Sequence, residues 1–147
     1  MDGTDLIIAE PTKFSPEYYS HKFKHAAFRY EVLLSLSDSK IVFVNGPFKA
    51  GKYNDMKIFS GKLEGKLKLY NELTVADGGY AGDQALRGHE LPKFLRGRHK
   101  DFRARHETVN RRFKSFGCLQ QKFRHDRDLH CVCFHSVACI VQVLLDN

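Results

Sequence analysis

Three carboxylates stand where hard-cation chemistry can be assembled. Asp2 lies in "MDGT", Asp77 closes "LTVAD", and Glu107 sits near the middle of "RGRHKDFRARHETVNRRFKSFG", residues 96–117. That stretch carries eight Lys and Arg against two acids, Asp101 and Glu107. Hard oxygen ligands converging at a strand end are what Mg²⁺ or Mn²⁺ requires. Two such ions stabilise both the attacking and the leaving oxygen of a phosphodiester displacement. Each residue also has a bland reading. "DGGY" makes a turn with Gly78 and Gly79 supplying positive φ, and Glu107 can pair with Arg103 and Arg111, four residues away on either side.

The charge distribution favours a polyanion partner. The 147 residues carry a net +7, but residues 87–127 hold 13 Lys and Arg against four acids, a local +9, while the remainder nets −2. Concentrating the positive charge in one block is the pattern of a nucleic-acid face.

Other motifs carry less chemistry. "GPFKAGKY" has the Gly-x4-Gly-Lys spacing of a phosphate-binding loop, but Tyr53 stands where a Ser or Thr hydroxyl must hold Mg²⁺. Cys118, Cys131, Cys133 and Cys139 contain no Cys-x2-Cys pair. The last three read as small buried hydrophobes within "CVCFHSVACIVQVLL". No nucleophile elbow is present.

The elements that must position the carboxylates follow from periodicity. With 42% hydrophobic and 12% aromatic residues the chain is globular and long enough for one cored domain. The pattern predicts strands at 6–9 ("LIIA"), in "AFRYEVLLSLS", in "IVFVN" and at 73–76 ("LTVA"), with "SDSK" (37–40) as a hairpin turn. Asp55 reads as the N-cap of a short helix through Leu63. Helices follow at about 100–114 and 130–145, the second expected to be buried and to close the domain. Its apolar run of 15 residues is short and polar for a bilayer span, and the acidic opening "MDGTDLIIAEP" is unlike a secretory signal. The order is a β-β-β-α-β core plus C-terminal helices: an antiparallel meander, a crossover, then a strand parallel beside the first. That placement would set Asp2 beside Asp77.

Taken together, "DGTDLIIAEP", "YYSHKFKHAAFRYEVLLSL", "VNGPFKAGKYNDMKIF", "ADGGYAG", "RHETVNRRFKSFGCLQQKFRHD" and "FHSVACIVQVLL" resemble the Harbinger/PIF-like endonuclease domain of the DDE transposase superfamily, from Asp2 to about Leu145. The resemblance implies an α/β fold with a ribonuclease H-like mixed sheet, and metal-dependent DNA strand cleavage and transfer. It makes Asp2, Asp77 and Glu107 the catalytic and metal-holding triad of a two-ion Mg²⁺ or Mn²⁺ site. It also implies a nuclear location without membrane association, and a homo-oligomer or a separate DNA-binding partner protein. Arg103, Arg111 and Lys114 are the expected DNA contacts. Arg103, Glu107 and Lys114 fall at i, i+4 and i+11 and share one helical face, a spacing also seen around the catalytic Glu of related bacterial transposases. Against that family, residues 1–147 correspond to the nuclease half, without the N-terminal DNA-binding region and part of the first strand. The 30-residue step from Asp77 to Glu107 is short. Asp2 directly after Met1 is expected to fray and to weaken any nuclease. The alternative is a catalytically dead remnant that holds DNA or a partner protein.

Overall fold

The computed structural model describes residues 1–80 and 82–146. It is a mixed α/β fold built on an antiparallel meander. Strands β1 (Asp2–Ile7), β3 (His25–Leu34) and β4 (Ile41–Lys49) pair with β3 in the centre, and the short β2 (Tyr19–Ser20) pairs with the start of β3. The register sets Asp2 opposite Val32 and Gly3 opposite Glu31, with Asn45 across from Glu31 on the other side. The β3–β4 turn lies where "SDSK" places it. Ser35 N–H donates to the Lys40 carbonyl, and Ser39 takes a left-handed φ of 63°.

The first strand begins earlier than its apolar run suggests. The ladder with β3 starts at Asp2, because the pairing needs the backbone of "DGTD" and not apolar side chains. The start of the strand is not frayed. Met1 is 6% exposed, and its amino nitrogen donates to the Val75 carbonyl at 2.8 Å.

Helix α1 (Asp55–Ile58) runs through a π-turn (Phe59–Leu63) into α2 (Glu64–Tyr70) and ends at Asn71, φ 53°. This helix outruns the expected stop at Leu63 because Leu67 also finds core to cover. Asp55 is not its cap. Asn54 is, accepting from Lys57 N–H. Strands β5 (Thr74–Val75) and β6 (Ala85–Leu86) form a small parallel ladder of their own. The expected strand parallel beside β1 is not formed among the described residues: β5 takes β6 as its ladder partner in a separate small sheet, and only the Met1–Val75 hydrogen bond links it to β1. The rest is helical: α3 (Lys93–Arg96), α4 (His99–Phe113), α5 (Gly117–Gln120) and α6 (Arg127–Asp146).

Helices cover both faces of the sheet. On one, Leu6, Phe28, Tyr30, Val32 and Leu34 meet Val109 and Phe113 of α4 and Phe134, Val137 and Val141 of α6. On the other, Leu33 and Phe43 pack against Phe59, Leu63 and Leu67. In α4 the apolar stripe is Phe102, His106, Val109 and Phe113, spaced three or four residues apart as a helix requires.

Helix α6 departs from expectation. It is long and apolar enough, by length and composition, to cross a bilayer. Only one side is buried, while Leu129, Val132, Ile140, Val143 and Leu144 are exposed. Its cysteines are not core residues either: Cys139 is exposed and Cys131 and Cys133 are half-buried.

Candidate functional site

The three carboxylates singled out by type open on one pocket. A cavity of about 60 Å³ at the sheet end is lined by Asp2, Asp77, Arg103, His106 and Glu107, over an apolar floor including Val75 and Phe102. Each arrives from a different element. Asp2 begins β1, Asp77 follows β5, and Glu107 projects from the middle of α4. The Met1–Val75 bond draws the first two elements together, and packing of Phe102 and Val109 fixes the rotation of α4.

Asp2 is the most constrained of the three. Its Oδ1 accepts from Gly3 N–H at 2.8 Å and its Oδ2 accepts from Asn110 Nδ2 at 3.0 Å. Burial raises its pKa above the ordinary carboxylate value, against the Gly3 N–H, which lowers it. Asp77 is open to solvent. Its Oδ1 accepts from Gly78 N–H, and Arg103 Nη2 stands 3.9 Å from its Oδ2. Glu107 is exposed at the rim and makes no ion pair with Arg103 or Arg111 among the described residues. The expected pairing along the helix thus gives way to a contact from Arg103 to Asp77. Arg111 is exposed, and Lys114 lies at the end of α4, half-buried.

Two participants escape a sequence reading. Asn110, one turn beyond Glu107, holds Asp2; its signal is the i+3 spacing in "ETVN". Asp55 reads as a helix cap but lies in the notch between the two aspartate segments. A Cβ on Gly3 would stand 2.8 Å from Asp55 Oδ1, and one on Gly79 would stand 3.6 Å from Oδ2. Arg29 steadies it, with Nη1 3.2 Å from Asp55 Oδ1 while Nε and Nη2 clasp Asp5 at 2.6 and 3.0 Å. Burial raises the Asp55 pKa, and Arg29 works the other way.

Beneath this group lies Glu31, 1% exposed in the centre of the sheet. Burial pushes its carboxyl up to about 7, despite the Asn45 amide, and Asp55 adds to the rise. Neither Glu31 oxygen has a hydrogen bond of normal geometry. His106, also buried, has an unpartnered Nδ1 and is held neutral, its pKa pushed down to about 3 by desolvation.

Chemically, the pocket offers hard oxygen donors beside cationic side chains. Among the described residues no three His, Cys, Asp or Glu side chains form a ready-made ion site. Comparison of the chain with protein-family models, with curated proteins and with solved structures finds no match to any of them.

Proposed function

We propose that this chain is a DDE-type endonuclease domain of transposase ancestry, with a ribonuclease H-like core, acting on DNA in the nucleus. One observation carries the reading: Asp2, Asp77 and Glu107 share a pocket at the end of the sheet with Arg103 of a basic helix. Asp2, Asp77 and Glu107 would hold Mg²⁺ or Mn²⁺, which when bound supplies a Lewis acid at a phosphodiester. The side chains do the rest. Asn110 orients the Asp2 carboxylate, and Arg103, Arg111 and Lys114 present positive charge to strand phosphates. Assembly as a homo-oligomer, or with a separate DNA-binding protein, belongs to the same reading.

A second reading has its own support. Both Asp2 oxygens are already engaged by Gly3 and Asn110, which suits a DNA- or protein-binding domain that no longer cleaves. Mn²⁺-dependent nicking of supercoiled plasmid decides between them. Nicking abolished by Asp77→Asn supports the endonuclease. DNA binding without nicking, unchanged by Asp77→Asn, supports the binding domain and removes the enzymatic reading.

A further inference from the structure

The turn joining β2 to β3 brings a second cation to the basic helix. Phe23 sits in this turn, its N–H directed at Ser20 Oγ at 3.4 Å, and Lys24 takes a φ of 56° to complete the reversal. Lys22 Nζ stands 5.8 Å from the Phe23 ring centroid, and Lys114 Nζ, arriving from the end of α4, stands 5.3 Å from the same centroid. One aromatic ring therefore braces two ammonium groups. Among the described residues neither lysine forms an ion pair. Neither ammonium is held in an ion pair, although Asp2 and Asp5 act on Lys114, and Lys22 acts on Asp2 and Asp55, at longer range, so both cations stay available to an incoming anion. Burial and then the neighbouring Lys22 lower the Lys114 pKa, while Asp5 and Asp2 work the other way.

The position of the pair matters as much as its charge. Lys114 follows Asn110 by four residues and Glu107 by seven, so all three lie on one face of α4. Seven residues of helix are about 10 Å.

Resting on the DNA reading above, we infer that Lys22 and Lys114, braced on Phe23, clamp one backbone phosphate of the strand that passes Asp2, about 10 Å along α4 from Glu107. Lysine suits this task as a point charge that tolerates any base sequence.

Two measurements test the clamp. The first is amine labelling read by mass spectrometry, with and without a 20-base-pair duplex and, separately, inorganic pyrophosphate; the exposed Lys66 on α2 serves as internal reference. Labelling of Lys22 and Lys114 should fall several-fold with either probe while Lys66 is unchanged. The second is duplex affinity by fluorescence anisotropy. Lys22→Glu should weaken binding about tenfold and reduce the salt slope by about one, whereas Arg124→Glu, at an exposed position on another loop, should do less. If the duplex binds but leaves Lys22 labelling and Lys22→Glu affinity unchanged, the clamp is wrong and the DNA reading survives. If the duplex fails to bind while pyrophosphate protects both lysines, the anion site stands and the DNA reading falls. If the duplex does not bind and neither probe protects the lysines, both readings fall.

Discussion

Replacing Glu31 by Gln should stabilise the protein, and by an amount that depends on pH in a specific way. Glu31 is buried between Gly3 and Asn45 in the middle of the sheet, under Asp55, with no hydrogen bond of normal geometry to either oxygen. Its pKa rises from 4.5 to about 7, chiefly through burial. Between those values the folded protein keeps a proton that the unfolded chain has released. Stability is therefore lost as pH rises through this window, and the loss is complete above about 7. At about 1.4 kcal/mol per pH unit the total is roughly 3 to 4 kcal/mol. The glutamine amide of the Glu31→Gln variant cannot ionise, so it escapes this cost while keeping the shape. His106 and His130 titrate in the opposite sense. Burial lowers them to about 3 and about 4, and they remove stability as pH falls below 6.5. Comparing variant with wild type at each pH cancels those contributions. Urea denaturation followed by circular dichroism at pH 4.5, 6 and 8 should show Glu31→Gln near parity at the first and roughly 3 to 4 kcal/mol more stable at the last. A difference that stays flat from pH 4.5 to 8 would refute the reasoning, because it would mean that Glu31 ionises in the fold at little cost.

The remaining predictions concern glycine positions and the basic helix. Gly46→Ala should cost more than about 3 kcal/mol, since Gly46 has a φ of 139° and a Cβ there would stand 2.7 Å from the Tyr30 ring and 2.9 Å from the Arg29 carbonyl; an unchanged melting midpoint would contradict this. Gly3→Ala should cost only about 1 kcal/mol, because the atom it meets is the far end of a side chain, the Asp55 carboxylate, and not backbone. Its cost should shrink in an Asp55→Ala background, and an equal cost in both backgrounds would show that the clash lies elsewhere. Charge reversal at Arg103, Arg111 and Lys114 should remove most duplex affinity and flatten its salt dependence. Binding insensitive to both would make the basic face of α4 ordinary solvated surface.

Much of the architecture was legible in local pattern. The meander follows from β-branched and aromatic runs broken by "SDSK", and α4 and α6 follow from helical periodicity to within a few residues of their ends. These signals are short-range: hydrophobic period, turn residues and caps act over a few positions, which is the distance at which a sequence can be read. Asp2, Asp77 and Glu107 were likewise visible by type and spacing, and they open on one pocket.

What the tertiary structure decided lies across the chain. The start of β1 at Asp2 is set by its ladder with β3 and by the Met1–Val75 hydrogen bond, 74 residues apart, with no apolar signal at "DGTD". Asp55 carries the same local signature as a helix cap. Only the approach of Gly3 and Gly79 moves it into the carboxylate group, while Asn54, one residue earlier, takes the capping bond. Lys22 and Lys114 are ordinary lysines when read singly and become a pair because one ring lies between a turn and a helix end. The exposed side of α6 is hidden from composition for the same reason. An apolar helix buries only as many faces as the fold supplies with neighbours, and here the sheet and α4 supply one.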